Sequence, residues 1–322
     1  MSLTTDKALR FAVLLPGQGS QYVGMGKLLY EKFPLARELF AEASEVLKFS
    51  LSELCFNGDV IELTKTYNTQ PALLTLSYIM YRLYVKDKNL SPTVMLGHSL
   101  GELSTLVCAE TISFSEGVVL ARDRGLYMHE CGEKNPGAML AVITPDFDEI
   151  SRLCKEISSD GAVLDVANYN SENQVVVSGH TAAVEALKRH LKDKNIRSVP
   201  LNVSAPFHSS IMRPAADKLR ARLNQISIRP PVVPIISNVS GQLYSREEDI
   251  SENLAAQVVR PVRWLQSVKL ARDLGINLFV EVGPKSVLKN LNKNICNDVC
   301  TLSLDIEEDL RKFEALVGAR DE

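Results

Sequence analysis

Residues suited to metal or redox chemistry are sparse in this sequence. Its 322 residues include five histidines and six cysteines, and of the cysteines only Cys296 and Cys300 lie close together. No second cysteine pair and no histidine cluster accompanies them, which argues against a zinc site. Thiols scattered in this way fit a reducing compartment, so a cytoplasmic protein is expected. Charge of one sign is lacking too. A formal net charge of -3 leaves no basic surplus for nucleic acid or for an acidic membrane surface. No apolar run approaches the roughly 20 residues of a membrane span. Residues 1–6 show no basic stretch ahead of an apolar core, so no signal peptide is expected. Internal repeats and low-complexity linkers are also missing. With 45% hydrophobic and 23% charged residues, the chain can build one large domain or two modest ones around an ample core.

Against that plain background, Gly97-His98-Ser99-Leu100-Gly101 stands out. The short apolar run before it, 92–96, reads as a buried parallel strand, and 102–109, free of Gly and Pro, reads as a helix. A serine between two glycines at a strand-to-helix turn is the nucleophile-elbow pattern, in which the turn lifts the hydroxyl above the sheet. The same pattern also fits an ordinary tight turn with a capping serine. A second apolar strand, 11–15, ends in the loop Pro16-Gly17-Gln18-Gly19-Ser20-Gln21. This is not a nucleotide fingerprint: Tyr22 stands where the third glycine would be, and no G-x-x-x-x-G-K-[ST] occurs. It reads instead as a loop presenting backbone N–H groups at the C-terminal end of a strand, where open α/β sheets bind ligands.

Helical patterns cover 27–56 and 71–88, the latter with Pro71 in its first turn. Another helix carries Arg124 close to its apolar stripe; spacing alone favours a surface arginine there, since an unpaired buried one is costly. From about 136 the rhythm changes. Strand-like 137–143, a helix 146–158 capped through Pro145 and Asp146, and strands 162–167 and 174–178 about a polar turn 168–173 come first. A helix 181–194 with Thr181 as N-cap and a strand 196–203 complete the β-α-β-β-α-β order of the ferredoxin-like split unit. The rest returns to the main body: a helix 212–225, a strand 235–238, a helical stretch 254–274 broken near Pro261, a strand 277–282 and a helical tail 306–312.

A serine nucleophile needs a base. His190 lies in a run that reads as a solvated helix face, His180 in a turn and His129 at a helix end. His98 adjoins Ser99, but neighbours at a turn diverge. His208, where the chain re-enters the main body, remains a candidate base.

Six segments in this order carry a resemblance. They are Gly17-Gln18-Gly19-Ser20-Gln21, Gly97-His98-Ser99-Leu100-Gly101-Glu102, Arg124-Gly125, Pro206-Phe207-His208-Ser209, Gln257 with Pro261-Val262-Arg263-Trp264, and Glu281-Val282-Gly283-Pro284. Together they resemble the malonyl-CoA:acyl-carrier-protein transacylases and the acyltransferases of polyketide synthases, over essentially the whole chain. The resemblance implies an α/β-hydrolase-like body with a parallel sheet, 1–135 and 206–322, and an inserted ferredoxin-like subdomain, 136–205. It implies that Ser99 is acylated, that His208 is its base, and that a backbone carbonyl at Gln257 holds the second imidazole nitrogen. The oxyanion donors would be the N–H groups of Gln18 and Leu100, and Arg124 would grip the malonyl carboxylate. His98 and Phe207 join the substrate-binding residues, with Phe207 favouring malonyl over methylmalonyl. Met128 and Val287 would line the acyl pocket, or simply pack the core.

The implied substrates are malonyl-CoA and the phosphopantetheine thiol of an acyl carrier protein. No metal or cofactor, no nucleic acid and no membrane are implied, and a monomer is expected. Phe207 and 201–205 lean the reading towards a trans-acting role in polyketide or hybrid peptide assembly rather than fatty-acid synthesis. Three alternatives stand beside it. One is a hydrolase of the same fold that edits carrier-bound chains, against which Arg124 speaks. Another is an unrelated α/β-hydrolase with Asp165 as acid, against which the missing HGGG-type loop speaks. The third, from another class, is an inactive carrier-docking module. The basic run Lys188, Arg189, Lys192, Lys194 and Arg197 reads either as a dock for acidic carrier proteins or as a solvated helix face.

Overall fold

Parallel strands buried on both faces need apolar side chains at consecutive positions, and Phe11–Leu15 (β1) supplies five. The computed structural model describes residues 9–158, 161–203 and 205–318; the reading of residues 1–6, and the Ser204 part of the 201–205 reading, lie outside the described residues. β1 pairs in parallel with Val94–Gly97 (β2) on one side. The other strands of the small antiparallel sheet and of the main sheet follow in the chain: Gly137–Ile143 (β3), Leu164–Ser171 (β4), Gln174–His180 (β5), Ser198–Pro200 (β6), Ile235–Ile236 (β7), Leu278–Glu281 (β8) and Cys300–Ser303 (β9). The main sheet has the order β7-β2-β1-β8-β9, parallel throughout. The chain works outward from β1 on one side before crossing to β8 on the other. The crevice beyond the C-terminal ends of β1, β2 and β8 is therefore the expected ligand position. Phe11, Val13 and Leu15 enter one core and Ala12 and Leu14 another, so the sheet is covered on both faces.

The second sheet has the order β4-β5-β3-β6, antiparallel, with helices Phe147–Ile157 and Thr181–Asp193 on one face. This is the strand order of the ferredoxin-like unit. Alternation divides its residues cleanly. Leu140, Val142, Val175 and Val177 pack towards those helices, whereas Met139, Ala141 and Val176 join the core of the main body.

Several elements depart from the sequence expectation for local physical reasons. The 27–56 pattern is three helices, Lys27–Lys32, Pro34–Leu47 and Leu51–Asn57. Phe33, extended before Pro34, interrupts it, and Lys48 at φ 63° ends the second helix. Pro71 is not in a first turn but inside the helix Thr66–Tyr84. The carbonyl its missing N–H would have bonded, that of Tyr67, accepts Arg122 Nη1 at 2.9 Å instead. Residues 168–171 belong to β4 rather than to a polar turn. Tyr169 N donates to the Val262 carbonyl and Val262 N to the Ala167 carbonyl, both at 2.9 Å, so these asparagine-rich residues are paired on both sides. β6 and β7 are shorter than expected, and residues 201–203 and 237–238 leave the sheets towards the crevice. Thr181 is the first helical residue, not the cap; His180 holds that position. β9 was not expected at all. Asp146 does cap its helix, accepting the Glu149 N–H.

Among the described residues no helix is long and apolar enough to cross a membrane. No group of three or more His, Cys, Asp or Glu residues among them could hold a metal ion. All six cysteines are free, and only Cys300 is exposed.

Candidate active site

The elbow forms because nothing larger than glycine fits at its flanks. A Cβ on Gly97 would lie 1.9 Å from the Gly101 carbonyl carbon, and one on Gly101 would lie 1.9 Å from the Leu15 carbonyl oxygen. That crowding forces Ser99 to φ 53°, ψ -109°, a strained backbone for a residue with a Cβ. Bonds on every side hold it there. Ser99 N donates to Asn238 Oδ1 at 2.8 Å, while its carbonyl accepts Glu102 N at 3.0 Å and Gln257 Nε2 at 2.9 Å. Asn238 is itself anchored by its Nδ2 on the Gly97 carbonyl at 2.6 Å.

Ser99 Oγ lies 2.8 Å from His208 Nε2. His208 Nδ1 lies 2.8 Å from the Gln257 backbone carbonyl, which can only accept, so Nδ1 carries the proton and Nε2 offers its lone pair to the serine hydroxyl. Burial above all, and then the Arg124 charge, push His208 down to about 3. It is therefore a neutral acceptor at neutral pH. Asp165 takes no part here: its Oδ2 accepts Ser210 N and Oγ, so the α/β-hydrolase alternative lacks its acid. The other histidines are occupied or remote. His98 Nε2 lies 3.0 Å from Asn170 Oδ1, His180 Nδ1 accepts Val163 N, and His129 lies against Glu133 and Tyr67. His190 is not simply solvated; its Nε2 is buried without a partner among the described residues.

Arg124 is only 3% exposed, which rules out the surface-arginine reading. Its Nη2 reaches Ser99 Oγ at 3.3 Å and Gln257 Oε1 at 2.8 Å, and its Nη1 reaches Gln70 Oε1 at 2.7 Å. Burial brings it down to about 10, still far above neutral pH. The result is a permanent buried cation beside Ser99 Oγ, held by two neutral amide oxygens and no direct carboxylate. A buried guanidinium with no carboxylate in direct contact is costly, so this geometry favours an anionic ligand.

A cavity of about 410 Å³ opens over Ser99. Gln18 and Leu100 border it from the ends of β1 and β2, and among the described residues neither backbone N–H has an acceptor. Leu100 begins the helix Leu100–Cys108, where N–H groups are left over by geometry. Gly17 brings the first loop against the elbow, since its Cβ would lie 2.4 Å from the His98 carbonyl oxygen. His98, Phe207, Met128 and Val287 border the same cavity; Phe207 and Met128 are buried, and Val287 is 37% exposed at the rim. Gln257 lies behind it, buried. The site residues implied by the resemblance thus gather at one cavity, whereas Asp165, His129, His180 and His190 do not line it. Sequence reasoning missed the roles of Gln70, Glu102, Asn238, Asn170 and Glu281. Glu281, fully buried, accepts Leu288 N and Lys289 N and so caps the helix Val287–Asn292 at the cavity wall. Glu102 and Glu281 stand inside the motif segments, but nothing in their spacing signals what they bond.

The acyl transferase domain family matches residues 13–315. The malonyl CoA-acyl carrier protein transacylase of Bacillus subtilis strain 168 is 41% identical over 300 residues, covering 93% of this chain and 94% of that protein. The enzyme of the same name from Escherichia coli K12 is 40% identical over 297 residues, 92% and 96% of the two chains. Among solved structures, FabD from Acinetobacter baumannii superposes with a TM-score of 0.91 at 36% identity, covering 97% of this chain and 100% of that one. A malonyl-transacylase in complex with its type II polyketide acyl-carrier protein superposes at 0.90 with 38% identity, covering 94% and 98%. With its elbow, its neutral histidine and its buried arginine in one cavity, and a match running from β1 into the last helix, the chain belongs to the acyl transferase domain family.

Proposed function

We propose that this protein moves a malonyl group from malonyl-CoA to the phosphopantetheine thiol of an acyl carrier protein through a malonyl-Ser99 intermediate. Ser99 Oγ attacks the thioester carbonyl while His208 Nε2 takes its proton. The N–H groups of Gln18 and Leu100 receive the developing oxyanion. Collapse expels the CoA thiolate, which leaves with the proton from His208. The carrier thiol then gives its proton to His208 and attacks the acyl-serine, and Ser99 recovers the proton as it departs. Imidazolium forms twice, and the Gln257 carbonyl stabilises it through Nδ1–H. Neither exchange needs an electron carrier or a metal, so the reading includes no cofactor.

Arg124 carries this reading. A guanidinium 3.3 Å from the nucleophile, with only amide oxygens around it, fits an acyl group that ends in a carboxylate. A hydrolase editing neutral acyl chains has no use for that charge, and a docking module has no use for the aligned Ser99–His208 pair. Phe207, buried at the cavity, supports malonyl over an α-methylated acyl group. In the same reading, 136–205 is a small subdomain set against a catalytic body of 1–135 and 206–322, and it helps close the acyl-enzyme off from water. The protein would work in the cytoplasm, supplying extender units to a polyketide or fatty-acid synthase.

The test is covalent. Incubation with malonyl-CoA should add one malonyl group by intact mass, discharged by a carrier protein, and Ser99→Ala should abolish the adduct. An adduct that persists in Ser99→Ala would place the nucleophile elsewhere.

A further inference from the structure

The thioester exchange makes no direct use of Glu102, yet this fully buried carboxylate stands one helical turn past Ser99. Donors surround it. Tyr244 Oη lies 2.7 Å and Asn238 N 3.0 Å from Oε1, and Gln257 Nε2 reaches Oε2. A backbone N–H and a carboxamide NH2 cannot accept, so Oε1 presents a lone pair to Asn238 N and Oε2 presents one to Gln257 Nε2. Burial raises the Glu102 carboxyl above its ordinary value, against the hydrogen bonds from Tyr244, Asn238, Gln257 and Ser237 that pull it down.

Gln257 joins Glu102 to Arg124. Its Nε2 donates to Glu102 and to the Ser99 carbonyl, and its Oε1 accepts Arg124 Nη2 at 2.8 Å. A carboxamide has one donor end and one acceptor end. Turned over, it would set oxygen against the Glu102 carboxylate and NH2 against the guanidinium, so every contact would repel. The Glu102 Oε2 lone pair therefore acts with the Ser99 carbonyl and the guanidinium to set which way the amide faces.

We propose that Glu102 is a positioning residue for the acid-binding arginine: it fixes the polarity of the Gln257 amide, whose oxygen aims Arg124 Nη2 at the acyl cavity beside Ser99. This rests on the malonyl reading above and names a determinant of its acyl selectivity. Acyl groups with a free carboxylate depend on the relay, and acyl groups without one do not. In Glu102→Gln the new amide can turn its NH2 towards Gln257, which removes one of the contacts holding Gln257 Nε2 and loosens the aim of its oxygen on Arg124.

Loading of Ser99 from malonyl-CoA and from acetyl-CoA, followed by intact mass in single turnovers, tests this. Glu102→Gln should lower the malonyl-to-acetyl ratio about 10-fold or more, the scale of a lost hydrogen bond to a charged group. In an Arg124→Ala background it should move the ratio no further. Equal losses for both acyl groups, or a full additional loss without Arg124, would overturn the proposal. Should Glu102→Gln fail to fold, Gln257→Leu cuts the same relay and leaves the backbone carbonyl on His208; a ratio unchanged in that variant also overturns it. Wild-type protein that loads neither acyl group would refute the malonyl reading itself, whereas a normal wild-type ratio untouched by the variants refutes only the role of Glu102.

Discussion

The parallel and antiparallel sheets face one cavity but bring different things to it. From the main body come Ser99, His208, Arg124, Gln257, Asn238 and the Gln18 loop, which together hold the elbow, the imidazole and the cation. From the small sheet come Met139, Val176, Asn168 and Asn170, a wall whose polar contact with the elbow is Asn170 Oδ1 on His98. Strand direction explains the split. In a parallel sheet every loop at one edge follows a strand end, so distant segments converge there. In an antiparallel sheet alternation gives one face to the cavity and the other to its own helices, which makes a good wall and a poor place to gather reactive groups.

The comparison breaks if removing a body side chain costs no more than removing one from the wall. The largest effect should come from His208→Ala, which leaves Ser99 without a base and should slow malonyl loading about 10⁴-fold in single-turnover measurements. Arg124→Ala comes next, with malonyl loading down roughly 100- to 1,000-fold as a buried carboxylate loses its partner. Acetyl loading should fall far less. Equal losses would make Arg124 a packing residue.

A pH profile sharpens the same contrast. The base must be neutral, and His208 is pushed from 6.5 down to about 3, so its acid limb moves down with it. An unshifted histidine would lose about tenfold in rate by pH 5.5. Loading at pH 5.5 should instead stay within about twofold of that at pH 7.5. A limb centred near pH 6.5 would show that the imidazole is far better solvated than its burial indicates. On the wall side, Asn170→Ala removes the partner of His98 and should cost about 3- to 10-fold, the scale of one neutral hydrogen bond.

How much of this was legible follows from distance along the chain. The elbow is a local problem of glycine and strand packing, so five consecutive residues announced it. The contacts that complete it are not local: Ser99 meets His208 across 109 positions and Arg124 meets Gln257 across 133, and only the ordered family segments brought them together in advance. Gln70, Asn238 and Glu102 were missed because amides and carboxylates show no periodicity that reveals their partners. The fold behaved alike. β1 was plain from five apolar residues, but Cys300–Ser303 is a four-residue edge strand with no pattern of its own. The asparagines of β4 look like a turn until Val262 pairs with them.

The smallest expected effect concerns the outer side of the small sheet. The basic run on the helix Thr181–Asp193 and beyond packs behind that sheet, on the face of Val175 and Val177, whereas Val176 faces the cavity. Lys188 is already paired with Glu185 and Lys194 with Glu149, while Arg189 and Lys192 are exposed. A carrier arriving there would have the whole sheet between its thiol and Ser99. Reversing Arg189 and Lys192 to glutamate should therefore change malonyl transfer to carrier protein by less than about twofold, within the range of ordinary surface substitutions. A tenfold loss, with loading from malonyl-CoA unaffected, would make the small sheet's outer helix part of the docking surface and give the wall a function of its own.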